Sequence, residues 1–167
     1  MNESWTAPDG GRVTIRPIRA ADLALEAEFV NRLSALTGYR RLMSARRLTL
    51  EELRRFTDID PARERALIAT TLENGRERQI AVARYVRSEA GGDAELAIVI
   101  SDDWQRRGLG TALLERLISQ ARRDRVRRLV ATALSDNGAM QALARKLGFT
   151  LARNRESASI TDLTLVL

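Results

Sequence analysis

Two periods of hydrophobic and polar positions run along this chain, and they separate its strands from its helices. Residues 12–18 alternate, with apolar Val13 and Ile15 between polar neighbours, which predicts a strand. Residues 20–34 place Leu23, Ala27, Val30 and Leu33 at helical spacing. Thr49 followed three residues later by Glu52 marks a capping box, opening a shorter helix over 50–56. Residues 66–72 and 79–86 read as strands, and Asn74-Gly75 between them is a hairpin signal in a connection longer than two residues. Gly91, Gly92 and Asp93 mark a further turn before 94–100, the most apolar strand of the chain. After a loop, residues 108–123 carry Leu109, Leu113, Leu117 and Ile118 on one helical face. A strand at 127–134, a helix at 137–147 closed by Gly148, and strands at 149–153 and 160–167 complete the order. The sum is one α+β domain built around a mixed sheet. Residues 1–11, with Pro8, Gly10 and Gly11, are expected to form a flexible tail, and 12–167 a single domain.

Composition narrows the chemistry. The 167 residues are 44% apolar and 30% charged, a globular balance that needs no disulfide or metal to build a core. No apolar run approaches the roughly 18 residues of a membrane span, and residues 1–11 lack the segments of a signal peptide. No membrane partner and a cytoplasmic location are therefore expected. The chain has no cysteine and no histidine, which excludes a thiolate nucleophile, a Ser-His-Asp triad and zinc sites built on those residues. No metal is expected, and a general base must be a carboxylate or something weaker. The formal charge is +6, and 27 of the 28 basic residues are arginine, whose planar fork suits phosphate. Nucleic acid, an acidic protein or a phosphorylated cofactor would each suit that charge, as would solvated faces. An aromatic content of 4% argues against a stacking platform for single-stranded nucleic acid, which is not expected as a partner.

The informative stretch is residues 94–111, AELAIVISDDWQRRGLGT. A buried strand runs into a short basic loop, and Gly108 and Gly110 open a long helix. Such a helix start offers unpaired N–H groups and the positive end of the dipole. The two glycines remove Cβ atoms that would hold a pyrophosphate away, and Arg106 and Arg107 add charge beside it. It is neither a Walker loop nor the dinucleotide fingerprint, since Leu113 stands where a third glycine is expected.

Gln105-Arg-Arg-Gly108-Leu-Gly110 resembles the cofactor motif of the GNAT superfamily of N-acetyltransferases. Ser135-Asp-Asn137, Met140 and Arg145-Lys-Leu-Gly-Phe149 resemble that family's second motif. The resemblance implies a mixed, mostly antiparallel sheet flanked by helices, with a splayed strand pair holding CoA. It also implies acetyl-CoA as acyl donor, with the backbone of Gln105, Arg106, Arg107, Gly108, Leu109, Gly110 and Thr111 around the pyrophosphate. Val99 and Ile100 would pair with the pantetheine arm, and Asn137 would hydrogen-bond it from the other side. VTIRPI at 13–18, YRRLMS at 39–44, AVARYV at 81–86 and AELA at 94–97 are similar to the acetyltransferase domain of Pat-type protein lysine acetyltransferases. Larger relatives carry an acyl-CoA synthetase-like or cyclic-nucleotide-binding region, and neither is expected within these 167 residues.

Glu95 is the first candidate for general base. It lies in the strand leading to the cofactor loop, among Ala94, Leu96, Ala97 and Ile98, where partial desolvation would raise its pKa. Its position also matches the glutamate that Pat-type enzymes carry as catalytic. Glu73 is a weaker backup. At the position where many GNAT enzymes carry an acid tyrosine stands Ala144, so water or Ser135 would protonate the leaving thiolate. Tyr39 and Tyr85 are expected to be packing residues. Trp104 could cover the cofactor or pack at the rim, and the arginines between 122 and 128 are read as solvated. The leading reading is a protein lysine acetyltransferase, with an acyl-CoA synthetase as an example of its substrate. A small-amine acetyltransferase and a non-catalytic acyl-CoA sensor stay open beside it. The acceptor half is expected around residues 38–47.

Overall fold

The computed structural model describes residues 2–42 and 46–167. In chain order they form β1 (Glu3–Thr6), β2 (Arg12–Pro17), α1 (Leu23–Arg32), α2 (Ala35–Leu42), α3 (Leu50–Thr57), β3 (Glu64–Glu73), β4 (Arg76–Arg87) and β5 (Asp93–Ile100). There follow α4 (Leu109–Arg123), β6 (Arg128–Leu134), α5 (Gly138–Lys146), β7 (Thr150–Arg153) and β8 (Ile160–Val166). The strands make one sheet in the order β1-β2-β3-β4-β5-β6-β8-β7. Every neighbouring pair is antiparallel except β5 with β6, so the sheet is mixed and mostly antiparallel, as expected.

The heptad-like leucines of α4 explain the main core. Leu109, Leu113, Leu114 and Leu117 are fully buried against one face of the sheet, where they meet Ala81, Ala83, Tyr85, Leu96 and Leu129. Each such side chain contributes about 1.5–3 kcal/mol by leaving water. The opposite face carries a smaller core of Ile18, Phe29, Ile68, Val82 and Val99, with Phe29 supplied by α1. Successive strand residues point to opposite faces, so β5 serves both cores, Leu96 in one and Val99 in the other.

The structure departs from the sequence reading in three places. Residues 1–11 were expected to be loose, yet Glu3–Thr6 pair along β2 from Ile15 to Arg12. Trp5 and Ala7 pack on the main core, and the turn between the strands closes through Asp9 and Gly10, whose φ is +89°. In this five-residue connection Gly10 supplies the left-handed residue. Secondly, the helix read over 20–34 forms as α1 and ends where Leu33 is extended, and α2, which was not read, follows it: Ser34 Oγ accepts from the Thr37 amide at its start. No α2 residue is buried, so it leaves little apolar periodicity to read. Thirdly, β3 and β4 join through a two-residue turn, Asn74 and Gly75, both at positive φ, tighter than the connection expected. The Thr49–Glu52 capping box forms as read. No helix is long and apolar enough to cross a membrane among the described residues.

Candidate active site

Parallel pairing between β5 and β6 lasts three residues, Asp93 with Arg128, Ala94 with Leu129 and Glu95 with Val130. Beyond Glu95 the two strands part. β5 stays paired with β4 as far as Ile100, and β6 with β8 as far as Leu134, so the gap opens between two otherwise intact halves of the sheet. That gap is a cleft of about 770 Å³, lined by Leu96–Ile100 of β5 and Ala131–Ala133 of β6. Its lining comes from both faces of the sheet, with Gly110, Met140 and Leu143 on the α4 and α5 side and Arg41, Phe56 and Arg84 on the other.

The end of β5 is held by several anchors. Ser101 donates its amide to Ile80 O at 2.8 Å, and Ile80 is the extra residue of a bulge where β4 slips against β3. Asp103 takes a two-pronged contact from Arg78, both bonds 3.0 Å, and a third from Ser101 Oγ at 2.7 Å. Asp102 accepts from the Ser34 amide and from the hydroxyls of Ser34 and Thr37, which ties α2 to the loop. Burial alone would raise both carboxyls, but these donors outweigh it and hold each below its usual value. Depressed values mean that their stabilising effect is complete above about pH 4 and is lost as pH falls through the folded-state values. Denaturant titrations at about pH 6 and about pH 3 should show that loss. Asp103→Asn should lower stability at the higher pH and shrink the difference between the two.

Past Trp104 the chain turns through two left-handed residues, Arg106 at φ 60° and Gly108 at φ 83°, and α4 begins. Its N-cap is Gly108, which has no side chain to satisfy the first turn. Among the described residues the amides of Arg106, Arg107 and Gly108 have no acceptor, and those of Leu109, Gly110 and Thr111 open the helix. A row of unpaired N–H groups at a helix N-terminus fits the diphosphate of CoA. The two glycines play different parts. Gly108 supplies the left-handed backbone. A Cβ on Gly110 would lie 3.0 Å from Leu143 Cδ2 and 3.1 Å from Ile100 Cδ1, so Gly110 lets α4 press against β5 and α5 rather than clearing room for a phosphate.

Of the residues singled out from the sequence, Glu95, Val99, Ile100, Gln105, Arg106, Gly108, Gly110, Thr111 and Asn137 all line the cleft. Gln105 Nε2 donates to Ile100 O at 3.0 Å and braces the loop against β5. Asn137 lines the cleft and caps α5, its Oδ1 accepting from the Met140 amide at 3.2 Å, which leaves Nδ2 without a partner among the described residues. One residue differs from expectation. Arg107 does not offer its charge to the cleft: it stacks 3.7 Å over the Trp104 ring and pairs with Asp9 at 2.6 Å. Leu109 is fully buried in the core, which leaves only its backbone near the loop. Trp104 is likewise a core residue.

Glu95 is exposed, on the cleft face between buried Ala94 and Leu96, so the partial desolvation expected of it is absent from the protein alone. β6 turns away immediately after Val130 and leaves the carboxylate uncovered. Glu73 is outside the cleft, paired with Arg32 and Arg78, which hold it below its ordinary value. Ser135 Oγ is turned to Ala158 O and Thr161. Tyr85 is buried and bonded to Asp124, as a packing residue, whereas Tyr39 is 43% exposed. The arginines of 122–128 are exposed at the far end of α4, roughly 22 Å from its start. Within 38–47, residues 43–45 lie outside the described residues, as does the end of the 39–44 motif.

Sequence reading missed Arg40, Arg41, Phe56 and Arg84, which line the cleft beside Glu95. One signal was available: Arg84 interrupts an otherwise apolar strand between Ala83 and Tyr85, and a charge there demands a reason.

Comparison with known proteins agrees with this geometry. Residues 12–150 match the family model described as Acetyltransferase (GNAT) domain. Acetyltransferase PA5475 of Pseudomonas aeruginosa is 34% identical over 90% of this chain and 82% of its own length. Acetyltransferase Pat of Mycolicibacterium smegmatis is 32% identical over 89% of this chain, which spans 44% of that relative's length. Among solved structures, the GNAT domain of S. lividans PAT superimposes with a TM-score of 0.88 at 30% identity, covering 99% of this chain and 97% of that one. The yncA structure from Salmonella typhimurium, which holds its cofactor acetyl-CoA, gives 0.71 at 26% identity over 93% and 94%. With the family motif, the splayed strands and the amide cradle in agreement, the chain belongs to the GNAT family of acetyltransferases and uses acetyl-CoA as its acyl donor.

Proposed function

We propose that this enzyme transfers the acetyl group to the side-chain amine of a lysine on another protein, by direct attack, with Glu95 as general base. One observation carries the role of Glu95: it is the only acidic side chain among the described residues that line the cleft. It also stands at the last β5–β6 pair, where the gap begins. A lysine amine has an ordinary pKa near about 10.4, so a proton acceptor is needed near neutrality. Glu95 takes that proton, directly or through one water, and the nitrogen bonds to the acetyl carbon. The carbon–sulfur bond breaks, and the thiolate takes a proton from solvent, because Ala144 is apolar and Ser135 faces elsewhere. The edge of β5 beyond Glu95, free of a partner strand, offers amides to the carbonyl as its charge develops. Arg106, Gly108 and Thr111, with the backbone of Arg107, Leu109 and Gly110, would hold the diphosphate. Val99, Ile100 and Asn137 would hold the arm.

A protein lysine is supported by similarity to Pat and to the S. lividans PAT domain along nearly the whole chain. Arg40, Arg41 and Arg84 in the cleft repel a polycation, which disfavours polyamines. The test is acetyl-CoA with an acyl-CoA synthetase, its catalytic lysine intact or replaced, against spermidine. CoA release with the intact synthetase, and acetyl mapped to that lysine, is expected. The enzyme's only lysine is Lys146, so self-modification adds a single side-chain site. Faster release with spermidine would favour the small-amine reading. Tight acetyl-CoA binding without release from any amine would favour a sensor.

A further inference from the structure

The side of the cleft beyond Glu95 holds three guanidinium groups with too few partners. Arg84 on β4 stands directly across from Ala97 of β5, so it shares a face with Glu95, one diagonal position away. That places their Cβ atoms roughly 7 Å apart. Its Nη2 donates to Phe56 O at 3.1 Å, and no carboxylate pairs with it among the described residues. Arg41, nine-tenths buried, spends Nη2 on Glu26 at 2.9 Å, while its Nη1 is buried without a partner among the described residues. Nε of Arg40 is likewise buried with no partner among them. The Phe56 ring lies between two of the cations, 4.7 Å from Arg84 Cζ and 5.8 Å from Arg41 Cζ.

The surrounding acids do not answer this charge. Glu26 is fully buried and already bound by Arg41 and Gln79. Glu64 is taken by Arg55. Residues 43–45 are Met, Ser and Ala, which carry no carboxylate. Burial pushes Arg84 down to about 10, more than Glu26 restores, and the charge of Arg41 adds to the depression. Three cations lining a cleft, with Arg84 beside the candidate base and without a carboxylate partner among the described residues, describe half of a salt bridge.

We propose that Arg84, with Arg40 and Arg41, binds a carboxylate on the acceptor, so that the preferred lysine carries an acidic group within a few ångströms of its amine. This rests on the lysine reading above and adds a selection rule to it. The carboxylate can come from an acidic side chain beside the lysine or from a chain terminus, and both offer the same fork to a guanidinium.

The experiment uses three amidated peptides that differ in the residue next to one lysine (Glu, Gln or Arg), and a fourth with a free C-terminal lysine carboxylate. The Glu peptide is expected to exceed the Gln peptide in kcat/KM by about tenfold or more, and the Arg peptide to be poorest. The fourth peptide shows whether a terminus serves as well as a side chain. The Glu-to-Gln ratio should persist at about 0.5 M salt, where long-range steering is screened. In Arg84→Gln and, separately, Arg40→Gln the ratio should fall toward one, with acetyl-CoA affinity measured calorimetrically to confirm an intact fold. A ratio near one in the unaltered enzyme at high salt overturns the proposal. Should no peptide be acetylated, the lysine reading fails by itself. The carboxylate site is then decided by titrating the CoA-saturated protein with glutarate and with glutaramide. Glutarate preference lost in Arg84→Gln sustains it, and equal binding of the two overturns it.

Discussion

Glu95→Gln is expected to lower kcat by about 10²–10⁴-fold while acetyl-CoA affinity stays within about twofold. Gln keeps the shape and loses the proton-accepting oxygen. The donor cradle should not notice the change, because Glu95 stands at the closed end of the β5–β6 gap and the cradle lies past the far end of β5. No other carboxylate among the lining residues can substitute. The exposed setting of Glu95 adds a second readout. Without a base, the rate depends on the fraction of acceptor already deprotonated. The variant's rate should therefore climb about tenfold per pH unit until the pH approaches the amine's pKa of about 10.4. The unaltered enzyme should level off earlier. A variant with ordinary kcat near neutrality and a pH profile parallel to the parent would remove Glu95 from the chemistry. CoA release in a thiol assay and calorimetric titration of acetyl-CoA supply both measurements.

Gly110→Val should weaken acetyl-CoA binding by about ten- to a hundredfold and cost about 1–3 kcal/mol of stability through overpacking. Ile100 at the end of β5 and Leu143 on α5 already close on Gly110 to distances a Cβ cannot share comfortably. The branched side chain wedges the first turn of α4 away from β5, and the amides that make the cradle move with it. Gly108→Ala separates this effect from backbone strain. Its Cβ would meet only Trp5, at 3.6 Å, so the cost there is the left-handed conformation alone, about 1–2 kcal/mol. Calorimetric affinity and thermal unfolding of the two variants distinguish the cases. Donor affinity unchanged in Gly110→Val, with the fold intact, would place the diphosphate elsewhere.

Much of this architecture was legible as text because its signals are local. The α4 leucines, the Thr49–Glu52 box and the apolar run of β5 each depend on residues within a turn or two of one another, and each formed where it was read. The strand-loop-helix run at 94–111 was legible for the same reason: a helix start with Gly108 as cap exposes its amides whatever surrounds it. Failures came where long-range contacts decide. β1 is held by pairing with β2 and by Trp5 on a core assembled from distant strands. α2 buries no residue and is docked through Asp102, more than sixty positions along the chain.

The sequence by itself determined the order of the elements from β2 onward except α2, the amide-rich helix start and the absence of histidine or cysteine chemistry, since these follow from residue identity and spacing of a few positions. Only the tertiary structure decided which side chains face the cleft. It turned Arg107 onto Trp104 and Asp9, left Glu95 uncovered at the fork, and brought Arg41, Phe56 and Arg84 from three separate elements to one wall. The parting of β5 from β6 is a property of two strands far apart in sequence, and the cleft beside Glu95 opens where that parting begins.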